Sequence, residues 1–132
     1  ANELVYFKAF QKSGTLYLCV KGEVIHKNYE FYIDADDDVT TGMDMSGIWR
    51  NGAGIDLKSA GERVYKFRNE LWEEAGSATV VKSETVLEVS VNLSQFGLDG
   101  TSRIKAAFVM EENNYLPEPS KDMLTVEGAP KL

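Results

Sequence analysis

Cysteine, histidine and positive charge are all scarce in this chain of 132 residues. Cys19 is the one cysteine, so the chain cannot form an internal disulfide. His26 is the one histidine, which excludes a cluster of cysteine and histidine ligands for zinc or another transition metal. No apolar run approaches the ~18 residues that a membrane-spanning helix needs. We therefore expect no membrane insertion.

The shortage of positive charge also limits the possible binding partners. Lys and Arg together number 14 against 21 Asp and Glu, which gives a formal net charge of −7 at pH 7. Binding to nucleic acid or to an anionic membrane surface requires a basic face, and no cluster of Lys and Arg appears along the chain. We therefore expect no nucleic-acid partner, whereas a neutral sugar or a cation is a compatible ligand.

The sequence does have enough apolar residues for one globular domain. Hydrophobic residues make up 43% of the chain, and its length fits a single module over residues 1–132. It begins at Ala1, close to a strand-like segment and without an initiator Met, and it ends in EGAPKL, which has the composition of a linker. We therefore expect a module excised from a larger multidomain protein, with other domains of the same parent chain as neighbours.

Apolar and polar residues alternate with a period of two, which is typical of β-strands with one buried face. The clearest segment is VLEVSVNL at 86–93. Further strand-like segments are 4–10, 15–22, 29–34, 54–59, 63–68, 78–83, 103–111 and 122–127. One short helical turn is expected at 93–98, capped by Ser94 and ended by Gly97. The pattern predicts an all-β fold, an antiparallel, jelly-roll-like β-sandwich of about nine strands.

A dense group of aspartates follows the third strand-like segment. The stretch FYIDADDDVTTGM, residues 31–43, contains Asp34, Asp36, Asp37 and Asp38. Like charges at this density destabilise a chain unless a cation neutralises them, and clusters of carboxylate oxygens bind hard divalent cations. Ca²⁺ tolerates irregular geometry best. The sequence therefore predicts a structural Ca²⁺ site, and the alternative is a solvated acidic turn.

The spacing of Asp34, Asp36 and Asp38 matches the first, third and fifth ligand positions of an EF-hand loop. Val39 stands where that loop requires glycine, and Met45 stands where it requires a bidentate glutamate. The flanking segments are also strand-like. The pattern therefore indicates a D-x-D-x-D calcium loop on a β scaffold.

A fourth ligand is expected from a neighbouring strand. Ile33 should point into the core, so Asp34 should leave on the opposite face at the end of its strand. Asp56, in GAGIDLKS, lies among small and apolar residues where an unpaired charge would be costly. Asp56 is therefore the best candidate to join Asp34, Asp36 and Asp38.

An ordered series of segments resembles a known family. The series is YIDADDDVTTG, Trp49, GAGIDL, RVYKF, LWEEAGSATV, TVLEVSVNLSQFGL and YLPEP, and the resemblance extends from about residue 4 to 126. It is similar to the calcium-binding β-sandwich modules of the carbohydrate-binding-module-9-like and DOMON-like kind, which are found in bacterial extracellular proteins and as accessory modules of glycoside hydrolases. The resemblance implies a bound Ca²⁺, non-catalytic binding of polysaccharides or oligosaccharides, and a secreted or cell-surface location.

The same resemblance carries over to individual acidic residues. Asp34, Asp36 and Asp38 match the acidic loop of the family, and Asp56 matches the aspartate of its G-A-D strand. The chain departs from the family pattern where aliphatic residues flank Asp56, since an aromatic residue is common there. It also lacks the D-W strand that usually precedes the first segment.

A sugar site needs aromatic rings that stack on pyranose faces and polar side chains that bind hydroxyl groups. The candidates are Trp49, Arg50, Asn51, Trp72, Asn114 and Tyr115. Trp49 lies in a glycine-rich stretch typical of a binding loop, and its alternative role is a core plug over the calcium loop. The alternative for Trp72 is core packing, and the alternative for Tyr115 is a simple loop anchor.

We expect no catalytic site. The glutamate pairs at 73–74 and 111–112 offer carboxylates for glycoside hydrolysis, but adjacent residues of a strand face opposite ways. The alternative function is a calcium-stabilised structural or adhesion spacer that binds protein partners rather than glycans. Exposure of Trp49 and Tyr115 would favour the sugar-binding hypothesis, whereas their burial would favour the spacer.

Overall fold

The computed structural model describes residues 4–111 and 113–130, which form two antiparallel β-sheets packed face to face. The strands are β1 (Leu4–Lys12), β2 (Thr15–Gly22), β3 (Tyr29–Asp34), β4 (Leu57–Ala60), β5 (Arg63–Arg68), β6 (Leu71–Ser77), β7 (Thr79–Lys82), β8 (Val86–Asn92), β9 (Ile104–Met110), β10 (Asn114–Leu116) and β11 (Leu124–Val126). The predicted all-β antiparallel sandwich is thereby confirmed, with eleven strands in the described residues rather than about nine.

The smaller sheet has the strand order β1-β2-β8-β7, and the larger one has the order β10-β9-β3-β4-β5-β6. Strand β11 pairs with the first half of β9, and β10 pairs with the second half of β9. The alternating residues of both sheets meet in a buried core that includes Leu18, Val89, Phe31, Ile33 and Phe108. Tyr32 and Asp34 therefore lie on the outer face of the larger sheet.

Two strands and one capping residue differ from the prediction. Strands β6 and β10 were not expected as strands. The predicted helical turn is a 3₁₀ turn over Leu93–Phe96, and its cap is Asn92, whose side chain accepts a hydrogen bond from the Ser94 amide. Gly97 ends the turn in the left-handed conformation, as predicted. Among the described residues, no helix is long and apolar enough to cross a membrane.

The segment between β3 and β4 folds back over the outer face of the larger sheet and builds a second apolar core. Its buried members are Trp49, Ile55, Ala107 and Met123. The chain is tightly packed at Gly54, where φ is +89° and a Cβ atom would lie 2.9 Å from the Cα atom of Val39. Only glycine suits this conformation and this space. The contact holds the acidic loop against the residues that lead into β4.

Candidate functional site

Three carboxylates converge at the end of β3. Asp34, Asp36 and Asp56 each bring one oxygen atom to a common point, and these atoms all lie within 4.8 Å of one another. Asp34 is the last residue of β3, and Asp36 lies in the loop that follows. Asp56 precedes β4 and is fixed beside β3, because its amide donates a hydrogen bond of 2.9 Å to the carbonyl of Ile33. Pairing of the two segments thus brings together residues that are distant in sequence.

Asp34 is the member of the cluster that most needs a positive partner. It is 0% exposed, and neither of its carboxylate oxygens accepts a hydrogen bond from a described residue. The Nζ atom of Lys105 lies 3.4 Å from Oδ2 of Asp34 and 3.4 Å from Oδ1 of Asp37. Burial raises the pKa of the Asp34 carboxyl, and the ammonium of Lys105 only opposes that rise. A buried charge with this incomplete compensation is costly.

Asp56 is held in place by the backbone of the acidic loop. Its Oδ2 atom accepts a hydrogen bond of 2.9 Å from the amide of Ala35, and its Oδ1 atom lies 3.4 Å from the hydroxyl of Thr41. Burial, together with the negative charges of Asp36 and Asp34, raises the pKa of Asp56 to about 7, although the Ala35 hydrogen bond acts in the opposite direction. The cluster therefore resists full ionisation in the absence of a further cation.

Asp36 and Asp38 have different environments in the loop. Asp36 accepts hydrogen bonds from the Thr41 hydroxyl, at 2.8 Å, and from the Asp38 amide, at 3.0 Å. The Oδ1 atom of Asp38 accepts from the amide and the hydroxyl of Thr40, at 2.9 and 2.6 Å, and these bonds lower the pKa of Asp38. Asp38 therefore closes the turn and is not part of the three-carboxylate cluster.

The donor set of the cluster consists of oxygen atoms. It offers three carboxylate oxygens. The hydroxyl of Thr41 lies at its edge, within hydrogen-bonding distance of Asp36. Oxygen-only sites bind hard cations such as Ca²⁺ and Mg²⁺, whereas zinc and copper sites include histidine nitrogen or cysteine sulfur among their ligands in most cases. These three carboxylates therefore fit a hard divalent cation, and the buried carboxylate of Asp34, which accepts no hydrogen bond from any described residue, faces the other two.

Trp49 is buried in the second apolar core, which is the alternative role that the sequence analysis gave for it. Its ring is 0% exposed, and its Nε1 atom donates a hydrogen bond of 2.7 Å to the carbonyl of Pro117. The ring packs between Tyr32, at a centroid distance of 6.3 Å, and Tyr115, at 6.0 Å. Trp49 therefore has no free ring face for a sugar.

Arg50 and Asn51 fasten the same loop to the segment before β11. The guanidinium of Arg50 forms two hydrogen bonds with the carboxylate of Asp122, at 2.9 and 3.1 Å. The Oδ1 atom of Asn51 accepts a hydrogen bond of 2.6 Å from the amide of Met123. These bonds fix the loop, although 74% of the Arg50 side chain stays exposed.

The remaining sugar-binding candidates lie on or beside the outer face of the larger sheet. Trp72 is half-buried on β6 and packs on Phe67 at a centroid distance of 5.0 Å and on Tyr32 at 6.3 Å. Asn114 and Tyr115 are half-buried on β10. Tyr32 therefore links Trp72 on one side with the Trp49–Tyr115 pair on the other.

Sequence reasoning missed Lys58, which organises the open part of this face. Its Nζ atom lies 4.9 Å from the ring centroid of Trp72, 5.4 Å from that of Tyr65 and 3.4 Å from Oε2 of Glu30. The other oxygen of Glu30 accepts a hydrogen bond of 3.0 Å from the hydroxyl of Tyr32. The parity of Glu30 and Tyr32 was a visible signal for this face, but the strand pairing that adds Lys58 was not.

Comparisons with known proteins found no match, whether against family models, curated proteins or solved structures. Membership of the family that the sequence resembles therefore stays a prediction. It depends on the segments quoted above. The glutamate pair at 111–112 cannot be placed as a pair, since Glu112 lies outside the described residues.

Proposed function

We propose that the chain is a non-catalytic carbohydrate-binding module of a secreted or cell-surface protein and that one structural Ca²⁺ ion stabilises it. The observation that carries the metal part is the burial of Asp34, whose two oxygens accept no hydrogen bond from the part of the chain that the structure describes, although the side chain faces Asp36 and Asp56. A divalent cation held by these carboxylates offsets their repulsion and the cost of burying Asp34.

The sugar-binding part of the proposal is supported by the open region of the larger sheet. Tyr65 and Trp72 are half-buried there, so each ring keeps apolar surface in contact with water. Lys58 and Glu30 lie beside them and offer a donor and an acceptor for sugar hydroxyls. Rings that are partly apolar and partly wet, with polar groups at their edge, suit the stacking of a pyranose.

The calcium ion acts on this surface indirectly. The acidic loop continues into the segment that carries Trp49, and Trp49 packs on Tyr32 beneath the proposed sugar surface. By fixing the loop, the ion restricts the movement of this second core. Its role is therefore structural.

A second candidate function is favoured by the burial of Trp49. The side chain of Trp49 is fully buried, so it makes the loop rigid and does not contact a ligand. A calcium-stabilised spacer or adhesion domain that binds a protein partner needs this rigidity and needs no exposed aromatic residue in the loop. Half-buried Tyr115 does not discriminate between the two functions.

Titration with soluble polysaccharides, followed by tryptophan fluorescence and by retention in affinity gels, tests the proposed function. We expect Trp72→Ala to abolish retention on the neutral glycan that binds the unsubstituted chain. Leu71→Ala, a change at the exposed neighbouring residue, is the matched control and should leave retention unchanged. If none of the glycans tested retains the protein, the result would contradict sugar binding and support the spacer.

A further inference from the structure

The outer face of the smaller sheet carries an exposed aromatic pair. Phe10 on β1 and Tyr17 on β2 are cross-strand neighbours, and their rings stack at a centroid distance of 4.8 Å with an interplanar angle of 17°. Phe10 is 56% exposed, and nearby Val81 on β7 is 63% exposed. A shallow groove of about 380 Å³ runs past Tyr17, Thr79 and Val81. Exposed apolar surface of this kind commonly marks a binding site.

Three lysines share this face with the aromatic pair. Alternation along β1 places Lys8 and Lys12 on either side of Phe10, each about 7 Å away along the strand. Lys21 faces the same way from β2, two positions from Cys19, which pairs with Lys8. None of the three forms an ion pair with a described residue. The ammonium of Lys8 also lies 4.7 Å from the ring centroid of Tyr6, a contact that leaves its charge unpaired with any carboxylate of the described residues.

The charge of this face is opposite to that of the chain as a whole. The chain carries a formal charge of −7. Within the four strands of the smaller sheet, all of which are described, Glu88 is the one acidic side chain facing outward beside these lysines. The sequence shows no basic cluster, because Lys8 and Lys12 share a face only through the alternation of β1, and Lys21 joins them only through the pairing of β1 with β2.

We propose that this face is a second binding surface, distinct from the outer face of the larger sheet, and that its ligand is an acidic polysaccharide built of uronic acids. A uronate ring has an apolar C–H face that can stack on Phe10 or Tyr17 and a carboxylate that can pair with Lys8 or Lys12. The row of cross-strand neighbours continues from Tyr17 to Ser90 and Thr79, whose hydroxyls suit the sugar hydroxyl groups.

The density of charge favours a uronate chain over a nucleic acid. A nucleic acid carries a densely charged phosphate backbone, and binding it requires many phosphate contacts. Three lysines on a chain of net charge −7 give weak long-range attraction for such a polyanion. A uronate chain has a stackable ring for each charge, which matches a face that alternates lysine and aromatic side chains.

Isothermal titration calorimetry of the full chain with an oligosaccharide of glucuronic acid tests this proposal. We expect binding that weakens as the salt concentration rises from about 50 mM to about 500 mM, because the lysines act through screened charge. The methyl-esterified oligosaccharide, which keeps the rings and loses the charge, should not bind. Phe10→Ala and the double change Lys8→Gln/Lys12→Gln should each weaken binding at least about tenfold.

Two control variants separate this surface from the rest of the molecule. Lys66→Gln, at an exposed position of β5, removes one lysine charge elsewhere and should leave uronate binding unchanged. Trp72→Ala should also leave uronate binding unchanged. A failure of the proposed sugar site on the larger sheet can therefore be distinguished from a failure of the proposed uronate site on the smaller sheet. The lysine variants keep the apolar packing intact, and equal melting temperatures would show that they are folded.

Several results would overturn the proposal. Equal binding of the esterified oligosaccharide, or unchanged binding by both the Phe10 and the lysine variants, would contradict it. Tighter binding of a thymidine oligonucleotide through the same residues would assign the face to nucleic acid. A concentration-dependent dimer that Phe10→Ala disrupts would show that the face is covered by a second copy of the chain.

Discussion

Lys105 lies directly opposite Asp34 in the pairing of β9 with β3, and its ammonium is 3.4 Å from the carboxylate of Asp34. Both residues are buried, with Lys105 8% and Asp34 0% exposed. The lysine supplies one positive charge to a group of three converging carboxylates, and it makes no hydrogen bond with Asp34. The cluster is thus partly neutralised by the protein and still fits a divalent cation.

Replacing Asp34 by asparagine should remove the stabilisation by calcium. For the unsubstituted chain, Ca²⁺ at ~100 times its dissociation constant should raise the free energy of unfolding by ~2.7 kcal/mol. For a chain of this length that corresponds to roughly 10 °C in melting temperature. Asp34→Asn keeps the shape of the side chain and removes its charge, so its melting temperature should hardly respond to calcium.

Differential scanning fluorimetry with calcium, zinc or EDTA measures this effect. Asp44→Asn is the matched control, because Asp44 is an exposed aspartate of the same segment whose Oδ1 accepts a hydrogen bond from the Ser46 amide. Its response to calcium should equal that of the unsubstituted chain, and zinc should not replace calcium. Melting curves that are the same in calcium and EDTA would count against a structural ion.

Asp36 and Asp38 should differ as calcium ligands. Asp36 belongs to the cluster, whereas the carboxylate of Asp38 is held by Thr40. We expect Asp36→Asn to lower the affinity for calcium at least about tenfold and Asp38→Asn to lower it much less. Calorimetric titration of both variants gives the comparison. Equal losses would mean that the loop rearranges so that Asp38 also binds the ion.

Removing the charge of Lys105 should have opposite effects on the metal-free and the calcium-bound protein. In Lys105→Gln the buried Asp34 loses its cationic partner, so the melting temperature in EDTA should fall. The affinity for calcium should rise, because a competing positive charge has been removed. The melting-temperature difference between calcium and EDTA should therefore widen. A narrower difference would show that Lys105 helps to hold the ion's ligands in place.

The stability of the metal-free protein should depend on pH through Asp56. Its pKa is raised from 3.8 to about 7 in the folded chain, so the folded state binds more protons than the unfolded state between about pH 4 and 7. The contribution of this group to stability is therefore present at low pH and is lost as the pH rises through that interval. Calcium, which binds the ionised carboxylate, should reduce this loss.

Melting temperatures in EDTA across that interval, compared with those of Asp56→Asn, isolate the effect. As the pH rises, the melting temperature of Asp56→Asn should increase relative to that of the unsubstituted chain. A difference that is independent of pH would mean that the Asp56 carboxyl titrates normally.

Trp49→Phe should destabilise the fold without abolishing sugar binding. The change removes the donor to the Pro117 carbonyl and part of a fully buried ring, which together should cost about 3 kcal/mol in the free energy of unfolding. Urea unfolding measures the loss, and affinity gels measure glycan retention. Loss of retention with unchanged stability would instead place Trp49 at the sugar surface.

The periodicity of the sequence was sufficient to predict most strands but not all of them. Segment 86–93 alternates without interruption, and all but its last residue forms β8. Strand β6 was missed because LWEEAGS lacks a regular alternation, and its pairing with β5 is shifted between Val64 and Tyr65. Strand β10 has three residues, which is too short for a period to be recognised.

The candidate site was predictable only as far as local sequence determines it. The convergence of Asp34 and Asp36 follows from one strand end and its turn, and Asp56 was inferred from its apolar surroundings. The partnership of Lys105 depends on strand register, which alternation alone does not give. The burial of Trp49 depends on a long loop that folds back over a sheet.

The structure of crystals grown in millimolar calcium tests the account most directly. The account predicts an ion between Asp34, Asp36 and Asp56, with oxygen–ion distances of about 2.3–2.6 Å. Density for water alone among these three carboxylates, with Lys105 still paired to Asp34, would contradict it.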